Sequence, residues 1–233
     1  FEYIYFSRPD SIIKNISVYE YRKKLGSSLA RESHIQADLI VPVPDSGVPA
    51  AIGYAEEIKK NIELGIIRNH YVGRTFIEPT QQIRSFGVKL KHSINKTLIK
   101  NKSLILIDDS LVRGTTSVKI IKMLYEFGAK EVHMRIASPP IKYPDYYGVD
   151  TPNKSELLAS KHDLESMRKF INATTLQFLS IEGLYKSMGF AKRNTLYPQF
   201  TDHCFTGEYP IKPIDANDQT STNKQLSFMS SKS

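Results

Sequence analysis

Leu104-Ile-Leu-Ile-Asp-Asp-Ser-Leu-Val-Arg-Gly-Thr-Thr-Ser117 decides the fold of this chain. Its uninterrupted apolar start predicts a buried strand, and a helix follows Gly114 with Val118, Ile121, Leu124 and Tyr125 on its inner face until Gly128 ends it. The strand delivers Asp108 and Asp109 to its carboxyl end, which is where ligands bind in open α/β sheets. Gly114 lets the backbone approach a phosphate, Ser110, Thr115 and Thr116 add hydroxyl donors, and the free N–H groups of the helix start favour an anion. Two carboxylates cannot serve that phosphate. They suit ribose hydroxyls, a bound Mg²⁺ or a cationic transition state at a sugar carbon. Helix capping by Asp109 or Ser110 accounts for one aspartate but requires neither the second carboxylate nor Arg113.

Outward from this unit, Asp38 to Val43 reads as a second buried strand, followed by Pro44-Asp-Ser-Gly47 and a helix with Val48, Ala51, Ile52, Ala55, Ile58 and Ile62 at helical spacing. Pro-Asp-Ser-Gly alone is an ordinary turn. Between a parallel strand and a helix it becomes a second anion site. Ile66 to Val72 predicts another strand, and Gly73 to Ser93, polar and basic without periodicity, predicts a mobile lid. Glu131 to Ala137 adds a strand, so the alternation predicts an α/β fold with a central parallel sheet and helices on both faces. Ser155 to Phe170 and Ile181 to Phe190 predict flanking C-terminal helices. The aromatic opening Phe1 to Asp10 reads as a strand and starts mid-structure, as a fragment or processed product would. One domain is expected over 1–214, with a disordered tail over 215–233 that is too poor in apolar residues to offset its ordering entropy.

Composition narrows the class. Forty percent hydrophobic residues and a mean hydropathy of -0.33 describe a globular chain, and no apolar stretch reaches the roughly 18 residues that a membrane span requires. No signal peptide opens the sequence, so a cytoplasmic protein without membrane association is expected. The formal charge of +8 favours anionic partners. No zinc-finger, RNA-recognition or helix-turn-helix pattern accompanies it, so nucleic acid is not expected and a small polyanion fits at least as well. The single cysteine, Cys204, cannot form an internal disulfide or a four-thiolate cluster and reads as a buried small hydrophobe. The six histidines make no catalytic zinc pattern.

The stretch from Leu104 to Ser117 resembles the signature of type I phosphoribosyltransferases, whose acidic pair and phosphate loop hold phosphoribosyl pyrophosphate (PRPP). Phe1 to Ser11, Asn69 to Ile77, Gln81 to Arg84 and Arg135 to Ile141 resemble blocks of the glutamine PRPP amidotransferase family, and the resemblance runs from Phe1 to about Pro210. It implies a type I phosphoribosyltransferase fold. It further implies that Asp108 and Asp109 contact ribose and Mg²⁺, that Ser110 to Thr116 (including Arg113 and Gly114) binds the 5′-phosphate, and that Asp45, Ser46 and Gly47 form the pyrophosphate loop, with Ser46 beside the metal. The same resemblance makes Gly73 to Lys91 a closing loop in which Arg74 reaches pyrophosphate. Tyr5, Tyr71 and Ile77 then line a path for ammonia.

The implied reaction is transfer of the phosphoribosyl group to ammonia, giving 5-phosphoribosylamine and pyrophosphate at the start of de novo purine synthesis. The implied partners are PRPP, ammonia, a separate glutaminase domain or subunit, and further copies of the chain in a homo-oligomer. Two departures matter. The family's glutaminase nucleophile is an N-terminal cysteine with no counterpart here, and Ser85-Phe-Gly-Val replaces a more basic run in the closing loop. Cluster-bearing members have cysteines near Asp145, Thr201 and Cys204, of which only the last is present, so no iron-sulfur cluster is expected. The rival readings are a base-using phosphoribosyltransferase and a non-catalytic PRPP- or nucleotide-binding regulator or degenerate fragment.

Overall fold

The computed structural model describes residues 1–69, 92–149, 151 and 153–211. The expected lid from Gly73 to Lys91, with Arg74 and Ile77, lies outside the described residues, as do Tyr71 and the expected tail from Asp215.

In chain order, β1 (Ile12–Ile13) and β2 (Ile16–Ser17) form a small hairpin before α1 (Val18–Glu32). Next come β3 (Leu39–Pro42), α2 (Val48–Glu57), β4 (Ile66–Arg68), β5 (His92–Ile94) and the short α3 (Lys96–Ile99). The second half holds β6 (Ser103–Asp108), α4 (Thr115–Glu126) and β7 (Glu131–Ile136), then α5 (Leu158–Lys161), α6 (Leu164–Ile171), β8 (Thr175–Phe178), α7 (Ile181–Ser187) and α8 (His203–Thr206).

Strands β3, β6, β7 and β8 form a parallel sheet in that order, with Ile107 of β6 beside both Pro42 and Arg135. Every residue of β6 is buried because both faces of the sheet are covered. Leu104 and Leu106 join the core made with Ile120, Ile121 and Leu124 of α4, while Ile105 and Ile107 join that made with Ala50, Ala51 and Tyr54 of α2. This answers the apolar run in the sequence and bears out the α/β expectation. The ladder continues to the acidic pair, where the Ala137 N–H donates to the Asp108 carbonyl at 2.9 Å.

Helix α1 has no clear apolar period in the sequence, although Ser17-Val-Tyr-Glu20 carries a start signal: the Ser17 hydroxyl accepts from the Glu20 N–H. Val18, Tyr21, Leu25 and Leu29 bury one face at helical spacing, and basic residues together with Gly26-Ser-Ser conceal that pattern in the sequence. Glycines let α1 and α2 nearly touch. A Cβ on Gly26 would lie 1.8 Å from the Ala50 carbonyl oxygen, and one on Gly53 would lie 1.8 Å from that of Lys23.

Other expectations shift in detail. Glu2–Phe6 is a π-helical turn rather than a strand, because Ile4 is buried while Tyr3 packs edge-on against Tyr21 and, among the described residues, no strand pairs with it. The strand from Ile66 is short and pairs antiparallel with β5, outside the main sheet. The helix expected over Ser155 to Phe170 is broken, since Asp163 caps a new start by accepting from the Ser166 N–H at 2.8 Å. Ile62 leaves the helix of α2 and bridges to Ile40 instead.

Replacing Gly53 by alanine should therefore cost stability by about 1–3 kcal/mol or more, since the new methyl meets rigid backbone and the helices must separate. Chemical denaturation should show a lowered midpoint. A wild-type midpoint would mean that the crossing is loose.

Candidate functional site

The strand end of β6, the turn after β3 and the opening turn of the chain converge on an open cleft of about 540 Å³. Its floor is Asp108 to Ser117, and one wall is Val43, Pro44 and Ser46. Tyr5 and Phe6 form a second wall, and His92, Val149 and Thr151 complete the rim. A smaller apolar cavity of about 80 Å³, lined in part by Tyr3, Tyr21, Leu184 and Phe205, lacks the acidic pair and the phosphate loop.

The sheet carries Asp108 and Asp109 into this cleft with their residues only 8 % and 5 % exposed. Asp108 Oδ1 accepts from the Ser46 hydroxyl at 3.1 Å and from the Asp109 N–H at 2.9 Å. Asp109 Oδ1 accepts from the Ser110 N–H at 2.7 Å, while Asp109 Oδ2 is buried without a hydrogen-bond partner among the described residues. Burial, then the adjacent Asp109 charge, holds Asp108 well above the ordinary carboxylate range. Burial raises Asp109 too, against the pull of its hydrogen bonds and of the Arg22 charge. Such a pair is poised to receive positive charge. Its hard oxygens, one of them unpartnered, fit a Mg²⁺ ion, which takes one or two carboxylates and completes its shell with water or phosphate oxygens.

The loop beside the pair is already shaped. Gly114 adopts a left-handed conformation at φ 75°, Leu111 anchors the loop in the core, and the Val112 carbonyl accepts from the Leu158 N–H at 2.9 Å. Thr115 and Thr116 stay exposed at the first turn of α4, whose N–H groups have no acceptor within the helix. A cradle of backbone donors beside two carboxylates can hold a phosphorylated sugar by both ends.

Residues 18–139, just over half of the chain, match the phosphoribosyl transferase domain family. The chain belongs to the phosphoribosyltransferase family. It is 58% identical over 232 residues to the amidophosphoribosyltransferase of Rhizobium etli, covering 99% of this chain and 47% of that relative. The Bacillus subtilis amidophosphoribosyltransferase is 52% identical over 211 residues, 91% of this chain and 44% of the relative. Among solved structures, the glutamine PRPP amidotransferase from B. subtilis complexed with ADP and GMP superimposes with a TM-score of 0.81 at 52% identity, covering 90% of this chain and 46% of that one. The chain thus spans about half the length of the relatives it matches and corresponds to the phosphoribosyltransferase half of an amidophosphoribosyltransferase.

The expected site residues of this phosphoribosyltransferase do not all converge. Ser46, Asp108, Asp109, Ser110, Arg113, Gly114, Thr115, Thr116 and Tyr5 line the cleft. Asp45 does not, because its exposed carboxylate pairs with Arg68. Gly47 is a close-packing position: a Cβ there would lie 2.4 Å from the Ile107 carbonyl oxygen, so the turn can sit against β6 only without a side chain. Arg113 faces the rim and pairs with Glu156 at 2.8 Å. Cys204 is buried, and burial pushes its thiol up to about 11. Sequence reasoning missed Phe6, His92, Val149, Thr151 and the buried Arg22, which the chain draws together from separate segments and which share no motif.

A carboxylate raised in the folded state contributes stability that is full below its unfolded value, near 3.8, and is lost as pH rises through the folded value. Asp108→Asn removes that loss. Without added cation, the variant should melt roughly 2–4 °C above the wild type at neutral pH per kcal/mol gained, with the difference shrinking toward pH 3.8. Scanning calorimetry across pH checks this, and a variant that melts lower at neutral pH would refute the burial argument.

Proposed function

We propose that this phosphoribosyltransferase binds PRPP with Mg²⁺ and transfers the phosphoribosyl group to ammonia, giving 5-phosphoribosylamine and pyrophosphate, the opening step of de novo purine synthesis. The observation that carries the reading is the buried pair Asp108 and Asp109, continuous with a loop whose left-handed Gly114 leads into the start of α4 and facing an aromatic wall. Similarity to amidophosphoribosyltransferases over nearly the whole chain supports it.

The 5′-phosphate would sit in the cradle from Ser110 to Thr116, leaving the ribose over the acidic pair. As the bond from C1 to pyrophosphate lengthens, C1 gains positive character, and the fixed carboxylates of Asp108 and Asp109 stabilise it without reorganising. Asp108, Asp109 and the Ser46 oxygen would hold Mg²⁺, which when bound offsets charge on the leaving pyrophosphate. Tyr5 and Phe6 narrow access of water to C1, so that ammonia attacks. Arg74, Tyr71 and Ile77 lie outside the described residues and keep only their assignment by resemblance. A glutaminase domain or subunit would supply the ammonia.

Incubation with PRPP, Mg²⁺ and ammonium should release pyrophosphate at a rate that rises with pH toward the pKa of ammonium, since NH₃ is the nucleophile. Glutamine should not replace ammonium, because the single thiol of these 233 residues, Cys204, is buried and weakly acidic. Changing both Asp108 and Asp109 to asparagine should lower turnover by about 10²-fold or more. Tight PRPP binding with no pyrophosphate release at any ammonium concentration would instead identify a regulator.

A further inference from the structure

Arg22 lies on α1, outside every motif that points to the site, and only 6 % of the residue is exposed. A buried guanidinium is costly unless its donors are used and its charge is answered. Two main-chain carbonyls of the opening turn use its donors, and Asp109, on the floor of the cleft, partly answers its charge. Its Nε donates to the Tyr3 carbonyl at 2.9 Å and its Nη2 to the Ser7 carbonyl at 2.7 Å. These two carbonyls flank Tyr5 and Phe6, the residues that wall the cleft while remaining 54% and 55% exposed. The charge of the same guanidinium acts on Asp109.

The location of Arg22 is itself fixed. It stands one turn before Gly26 on the same face of α1, and the glycine contact with Ala50 sets how deeply that face enters the fold. Tyr5 is tied to Phe1, whose carbonyl accepts from the Tyr5 N–H at 3.0 Å and whose ring lies 5.7 Å from that of Tyr5. The turn is held by buried Ile4, by Tyr3 against Tyr21 and Phe200, and by the backbone bond from Ser7 to Glu2. Arg22 is the side chain that grips it at both ends, and lysine could not do so, because one ammonium lacks the fork that spans two carbonyls.

We propose that Arg22 is a positioning residue for transfer: by holding the Tyr3 and Ser7 carbonyls it sets the aromatic wall of Tyr5 and Phe6 and thereby decides whether ammonia or water reaches the ribose. The inference rests on the phosphoribosyl-transfer reading of the cleft. Its chemical signature is a change of product. If the wall loosens, a water oxygen bonds to C1 as the C1–O bond to pyrophosphate breaks, a proton passes to solvent, and ribose 5-phosphate replaces the amine.

The test compares wild type, Arg22→Lys, Arg22→Met and Tyr5→Ala with PRPP, Mg²⁺ and ammonium, measuring pyrophosphate, trapped phosphoribosylamine and ribose 5-phosphate separately. Both Arg22 variants should raise the ratio of ribose 5-phosphate to amine by about tenfold and raise the KM for ammonia, while the Kd for PRPP changes by less than roughly threefold. Tyr5→Ala, which leaves Arg22 and the core intact, should shift the ratio in the same direction. A structural role alone would lower the amount of active protein without moving the ratio. Arg22→Lys retains the charge and the buried stem, so it decides the matter if Arg22→Met does not fold. Folded Arg22→Lys with a wild-type ratio overturns the proposal, and so does failure of both variants to fold, which would make Arg22 a folding residue only. If wild type forms neither product, the transfer reading fails instead, which is a distinguishable result.

Discussion

Two adjacent carboxylates buried at the end of one strand are the constraint around which this molecule is organised. An ionised aspartate away from water is unfavourable, and a second beside it makes both worse. The fold tolerates the pair because β6 is among the most thoroughly buried elements of the sheet, so that apolar contacts on both faces hold the strand end in place regardless of what its last residues prefer. What the surroundings supply is partial: a serine hydroxyl, two backbone N–H groups and the charge of Arg22. The remaining deficit is what a cationic ligand or a developing positive charge would fill.

Distant parts of the chain meet around this pair. Helix α1 brings Arg22, α2 begins where Gly47 allows the turn to lie against β6, and the opening turn lends its aromatic side chains. None of these segments is close to Asp108 in sequence. Their convergence depends on the near-contact of α1 with α2, where two glycines replace the usual layer of side chains between helices.

Legibility in the sequence followed locality. The strand, acidic pair, loop and helix from Leu104 to Ser117 are consecutive, so their order was legible, and the alternation they share with the segments on either side predicted the parallel sheet. The aromatic opening misled because β-propensity reflects burial beside a neighbouring strand, and Phe1 to Ser7 has none; it winds into a turn around Ile4 instead. Only the family resemblance places Asp45 in the pyrophosphate loop, and its side chain pairs instead with Arg68, more than twenty residues later. Arg22 left no local trace at all, since its acceptors are main-chain carbonyls that any sequence would provide.

The loop around Gly114 is tied into the fold by its left-handed residue, by buried Leu111 and by its bond to the Leu158 N–H. Packing contacts made on folding therefore take up much of the conformational entropy of that segment. In the proposed reaction, a phosphate group would be received by a segment that its own packing holds, and the entropic cost of binding would fall on the rest of the ligand.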